Sequence, residues 1–109
     1  KANTDDMRDS SSLKMIPALS KKGALINYFD PTGYKKEFKK IRNVSYVGSI
    51  KECVNNSDLV IIHTEWNDFK SINFKNLVKK KKFIIFDMRN IYSSSKIKAQ
   101  GFKYFSVGR

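Results

Sequence analysis

Two uninterrupted apolar runs, LVIIH over 59–63 and FIIF over 83–86, constrain the fold of this chain more than any other feature. A strand with one wet face alternates apolar and polar residues. A continuous run rich in β-branched side chains instead suits a strand covered on both faces, as in parallel sheets. Each run leads into a polar cluster, HTEWNDF over 63–69 and DMRN over 87–90. Those clusters therefore belong at strand carboxyl ends, where open α/β sheets bind their ligands.

The remaining elements alternate in the same way. Ser10 to Ser12 offer N-caps for a helix through Lys22, with Gly23 as its C-terminal stop. Pro17 interrupts that helix at a cost of about 3 kcal/mol, which predicts a kink or a late start. ALINYF over 24–29 reads as a strand closed by the turn at Asp30-Pro31, followed by a helix from Tyr34 to Lys40 and a short strand from Ser45 to Val47. A helix over 49–56 precedes the first apolar run, and one over 74–80 precedes the second. A helical stretch from Ser95 to Gln100 stops at Gly101 before a last strand, FKYFSV, over 102–107. This order predicts an α/β fold, a Rossmann-like three-layer sandwich whose mostly parallel sheet carries helices on both faces. The 109 residues are expected to form a single domain, too small to include a cofactor module of its own.

The net charge of +12 raises nucleic acid as a partner. A basic nucleic-acid-binding α/β module is the non-enzymatic alternative for this chain. Against it, the lysines are spread through every expected element, and the densest run, Lys79 to Lys82, is a solvated helix end favoured by the helix dipole. No run approaches the length of about 20 apolar residues that spans a bilayer. The expectation is a cytoplasmic protein with neither nucleic acid nor membrane as partner.

Several chemistries are excluded by what the sequence lacks. It has no glycine-rich dinucleotide fingerprint, no Walker loop and no Ser/His/Asp or Cys/His arrangement. His63 is the only histidine and Cys53 the only cysteine. With no metal-ligand spacing around either, no metal site is expected. Ile50, Cys53 and Val54 fall on one helical face, which makes Cys53 a small core residue rather than a nucleophile.

The candidate site lies instead at the strand ends, where Asp30, Thr64, Glu65, Trp66, Asp87 and Arg89 are expected on a shared rim. Arg89 can fork onto a phosphate or a uracil carbonyl; its structural alternative is a salt bridge to Asp87 or Asp6. Asp6, Arg8 and Ser10 project to one side of an extended turn, with Asp6 orienting Arg8 and Ser10 capping the first helix. Trp66 and Phe69 are expected to close over the core or a neighbouring domain, the alternative being an exposed stacking platform.

At these residues the sequence resembles the C-terminal, UDP-binding domain of the UDP-glucose 6-dehydrogenase family. The matching segments are KANTDDMRDSSS at the start, FDP at 29–31, TEWNDF at 64–69, FDMRN at 86–90 and VGR at 107–109. Their order and spacing hold over essentially the whole chain. The resemblance implies that residues 1–109 are the UDP-sugar-binding domain of a larger enzyme that oxidises UDP-glucose to UDP-glucuronate, a precursor for polysaccharide biosynthesis, with two NAD. Relatives acting on UDP-N-acetylmannosamine or GDP-mannose are the enzymatic alternatives. The resemblance further implies an N-terminal NAD-binding domain and a central domain as partners, and a homodimeric parent. By motif, Lys1 and Arg89 would touch the UDP-sugar, and no catalytic residue would lie in this part of the enzyme. Two departures stand out. Met88 replaces the usual glycine, and the family's first strand, which precedes Lys1, is missing, leaving strands 24–29 and 58–63 with open edges.

Overall fold

A computed structural model describes residues 12–78, 80 and 82–107. Lys1, Asp6, Arg8 and Ser10 lie outside the described residues, as do Lys79, Lys81 and the end of the VGR segment. The chain divides into two compact units, with the boundary between Cys53 and Val54.

In the first unit, helix α1 (Ser12–Lys21) leads to strand β1 (Ile26–Tyr28), which pairs in parallel with β2 (Val44–Tyr46). Contrary to expectation, α1 runs through Pro17 without interruption. Proline removes only the bond to the Leu13 carbonyl, one turn back, and buried Ile16 anchors the helix beside it. Gly23 ends the helix with φ 92°. Its N–H reaches Ser20 O at 3.0 Å and that of Ala24 reaches Leu19 O at 3.1 Å, the paired bonds of a Schellman cap. The helix expected over 34–40 is reduced to a single 3₁₀ turn, Lys36–Phe38. Lys35 is extended and its N–H donates to Tyr28 Oη at 3.0 Å, so no helix can begin before Lys36. Phe38 is buried and meets Tyr28 edge-on at 5.2 Å between ring centroids.

The second unit begins at Val54, the last residue of helix α2 (Ile50–Val54), and holds strands β3 (Leu59–Ile62), β4 (Ile84–Asp87) and β5 (Lys103–Ser106), all parallel and adjacent in chain order. Between β3 and β4 lie two short helices, α3 (Asn67–Lys70) and α4 (Phe74–Leu77); α5 (Ser94–Ala99) joins β4 to β5. The α/β class and the parallel pairing match the reading of the sequence, and α3 was not anticipated in the loop holding Trp66.

The strands of the second unit are not covered equally on their two faces. Ile62, Ile85, Asp87 and Tyr104 point to one face and are buried. Leu59, Phe86 and Phe105 point to the other and are exposed by 42%, 37% and 51%. The buried face packs on an aromatic cluster centred on Phe74, whose ring meets Tyr92 at 5.5 Å and Phe102 at 6.5 Å, with Phe83 beside it at 6.4 Å. Among the described residues β1 pairs only with β2, and β3 only with β4.

Continuity of α1 through proline can be tested directly. Pro17→Ala removes a helix-interior penalty of about 3 kcal/mol, the lost bond and the ring clash together, and gives up about 1 kcal/mol of stiffening of the unfolded chain. A stabilisation of about 2 kcal/mol, read as a higher thermal midpoint, is expected. An unchanged or lower midpoint contradicts a helix that continues across residue 17.

Candidate functional site

The turn that follows β4 is built around one carboxylate. Asp87 ends the strand fully buried. Its Oδ1 accepts the N–H of Arg89 at 3.0 Å, and its Oδ2 accepts those of Ile91 at 2.8 Å and Tyr92 at 3.1 Å. The hydroxyl of Tyr104 on β5 donates to the same Oδ2 at 2.6 Å. Four donors thus replace the water a buried carboxylate would otherwise need, and charge-assisted bonds of this kind contribute about 1.5 to 3 kcal/mol each. The chain can turn here without a glycine at position 88 because the left-handed residue is Asn90, with φ 56°. Asn90 Nδ2 donates to Val107 O at 2.9 Å and ties the turn to the end of β5.

This arrangement presents Arg89 with its backbone fixed and its side chain half-exposed. The guanidinium pairs through Nη2 with Glu65 Oε1 at 3.0 Å. Of the two structural partners expected for Arg89, Asp87 engages its backbone N–H rather than its guanidinium, and Asp6 lies outside the described residues. Glu65 follows β3 and Arg89 follows β4, so adjacent parallel strands place the two side chains together. Met88 N–H extends the same ladder to Ile62 O at 3.0 Å.

The rest of the 63–69 segment supports this edge. Thr64 is half-buried in the turn after β3, and Trp66 precedes α3. Phe69 is buried, and its carbonyl accepts the Tyr92 hydroxyl, which links α3 to the turn around Asp87. Among the described residues the buried indole N–H of Trp66 has no hydrogen-bond partner. Burial lowers the pKa of His63, so the folded protein favours the neutral imidazole. Below the ordinary value of 6.5 the unfolded chain then binds the proton first, and this residue's contribution to stability declines as pH falls.

Asp30 belongs to the first unit. Its Oδ1 accepts the N–H and the hydroxyl of Thr32 at 2.8 and 2.6 Å, and Gly33 N–H closes the turn on Asp30 O at 2.8 Å. Lys35, which is 6% exposed, donates to Thr32 Oγ1 and approaches Asp30 Oδ1 at 3.8 Å. Asp30 therefore builds its own turn and balances a buried ammonium. Cys53 is half-buried with Sγ 3.4 Å from Asn27 O, and burial pushes its thiol up to about 11. Among the described residues no group of three or more His, Cys, Asp or Glu side chains is placed to hold a metal ion.

Tyr104, Tyr92 and Lys35 were not identified as site-forming residues in the sequence. Tyr104 carries a signal in retrospect. A tyrosine at the centre of a strand otherwise facing an apolar cluster needs a polar partner for its hydroxyl, and Asp87 is the buried acceptor in register range.

Comparison with known proteins places this geometry in context. The model of the UDP-glucose/GDP-mannose dehydrogenase family, UDP binding domain, matches residues 1–94. The chain is 36% identical over 110 residues to UDP-glucose 6-dehydrogenase of Rhizobium meliloti and 37% identical over 113 residues to that of Rickettsia prowazekii. These alignments take in 100% and 99% of this chain but 25% and 26% of the relatives, so the chain spans about a quarter of their length. Among solved structures, the NDP-N-acetyl-D-galactosaminuronic acid dehydrogenase of Methanosarcina mazei superposes with a TM-score of 0.82 at 24% identity. That match covers 98% of this chain and 22% of the other, and it establishes likeness of fold.

Asp87→Asn places an amide N–H2 among four donors and should destabilise the protein by about 2 to 4 kcal/mol, with Tyr104→Phe costing about 1.5 kcal/mol. Denaturant titration measures both; equal, near-zero effects would contradict the carboxylate's organising role. Cys53 should react with a thiol reagent far more slowly in the folded protein than in denaturant until pH nears 11. Because the unfolded thiol ionises first, its contribution to stability should fall as pH rises from the ordinary 9.0 toward 11. Rapid labelling of the native protein at neutral pH would contradict this.

Proposed function

The chain belongs to the UDP-glucose/GDP-mannose dehydrogenase family and matches its UDP binding domain; from that premise we propose that it binds the nucleotide end of UDP-glucose within a cytoplasmic UDP-glucose 6-dehydrogenase. In this reading residues 1–109 are one domain of a longer, homodimeric enzyme that oxidises UDP-glucose to UDP-glucuronate with two NAD. The relatives at 36% and 37% identity bear the name UDP-glucose 6-dehydrogenase, which supports glucose over other hexoses as the sugar.

The observation that carries the reading is Arg89. It follows β4, its backbone is clamped by Asp87, and its half-exposed guanidinium offers a planar fork of N–H donors. A nucleotide offers carbonyl, hydroxyl and phosphate oxygens, all of them acceptors that such a fork can engage. Lys1 is assigned a second contact to the UDP-sugar on the strength of its motif alone. Thr64, Glu65, Trp66 and Asp87 form and support the edge at which Arg89 sits; Asp6, Arg8 and Ser10 are assigned to the loop that carries the opening motif.

The residues present do not fit a dinucleotide. The sequence holds no G-x-G-x-x-G segment, and the turns after β3 and β4 contain no glycine over 63–66 or 87–90, so no strand here leads into the close-approach turn of a dinucleotide fingerprint. NAD is therefore assigned to other parts of the enzyme, and no step of hydride transfer is routed through these residues. The described residues also contain no helix long and apolar enough to cross a membrane.

Two measurements test this. Purified alone, this polypeptide should form no NADH from UDP-glucose and NAD; NADH formation would overturn the division of labour. In the full enzyme, Arg89→Ala removes charge-assisted bonds worth about 1.5 to 3 kcal/mol and should raise KM for UDP-glucose about ten- to hundredfold. KM for NAD should hardly change. An unchanged KM for UDP-glucose, or an equal loss for NAD, would reduce Arg89 to a structural ion-pair partner.

A further inference from the structure

The pairing of Arg89 with Glu65 bears on which part of the nucleotide-sugar this edge can recognise. The contact is end-on, one Nη2 to one Oε1, at 3.0 Å. Among the described residues the guanidinium therefore keeps Nε–H and the Nη1 donors for a ligand, and Glu65 keeps Oε2 as an acceptor. Both side chains are about half-exposed, at 49% and 46%, so a ligand can reach them. A carboxylate beside the arginine also cancels most of its net positive charge. A diphosphate placed on Arg89 would meet Glu65 within a few ångströms, and like charges at that range disfavour binding. A hydroxyl group has the opposite requirement, because it donates and accepts at once.

We propose that Glu65 and Arg89 together bind a vicinal diol of the nucleotide-sugar, with Glu65 accepting a hydroxyl proton and Arg89 donating to a hydroxyl oxygen, and that the diphosphate is held elsewhere. The inference rests on the assignment of Arg89 to the nucleotide site and names the group it contacts there. Two diols, ribose and hexose, share this chemistry.

The two possible roles of Glu65 predict opposite signs. If the pair binds a diol, Glu65→Gln weakens the acceptor and should loosen UDP-glucose binding to the full enzyme about three- to tenfold, the worth of one hydrogen bond. If Arg89 binds phosphate, the same substitution removes a repelling charge and binding tightens. Calorimetric titration of wild-type, Glu65→Gln and Arg89→Ala enzymes with UDP-glucose, UDP and 2′-deoxy-UDP separates the sources. A loss seen with UDP but absent with 2′-deoxy-UDP assigns the ribose; a loss seen with UDP-glucose and absent with UDP assigns the hexose. Either result supports the proposal. Tighter binding by Glu65→Gln, or equal losses with UDP and 2′-deoxy-UDP that shrink in high salt, overturns it while leaving Arg89 in the nucleotide site. No effect of Arg89→Ala on any ligand removes the site assignment and this inference together.

Discussion

A single buried carboxylate organises the turn that follows β4 in the second unit. Asp87 accepts three backbone N–H groups from the turn that follows it and one hydroxyl from the neighbouring strand. Without it, the Tyr92 N–H would be buried unpaired, at about 1 to 3 kcal/mol, and those of Arg89 and Ile91 would be unpaired in part-buried positions. With it, the N–H groups of Arg89, Ile91 and Tyr92 are held by one carboxylate, and Arg89 projects from a hydrogen-bonded backbone. Binding energy then need not be spent on ordering the loop, which is the physical value of preorganisation.

The turn also accommodates a departure from the family pattern. Met88 stands where the family has glycine, and a β-carbon there would be costly if the residue needed positive φ. The left-handed conformation falls on Asn90 instead, with φ 56°, and asparagine tolerates that region better than most side chains. Its amide then bonds Val107 O, so the same residue that relieves the turn fastens it to β5. The substitution at 88 is thereby compatible with the aim of Arg89.

Much of this was legible in the sequence, for reasons that differ from one residue to the next. The apolar runs at 59–63 and 83–86 pointed to two strands of a parallel sheet because β-branched residues without polar interruption have few alternatives, and the two strands pair in parallel. That in turn placed Glu65 and Arg89 at strand ends. Complete burial of those strands did not follow: Leu59 and Phe86 are exposed on the face opposite Asp87. The helix expected at 34–40 shrinks to one 3₁₀ turn because Lys35 is extended, held to Tyr28 Oη by a contact between residues seven apart that local propensity does not register. Of the two partners offered for a structural role of Arg89, Asp6 lies outside the described residues and Asp87 does not take the guanidinium. Asp87 is nearer in sequence, but its carboxylate is turned inward by the Tyr104 hydroxyl, and Glu65, 24 residues away, takes the guanidinium.

The account stands on Arg89 contacting the nucleotide from an Asp87-clamped turn. A crystal structure of the full enzyme with UDP tests it most directly. The expected result is a guanidinium nitrogen of Arg89 within about 3 Å of a nucleotide oxygen, with the carboxylate of Asp87 still accepting the N–H groups of Arg89, Ile91 and Tyr92. UDP bound away from residues 63–66 and 87–90, with Arg89 paired to Glu65 alone, would contradict it.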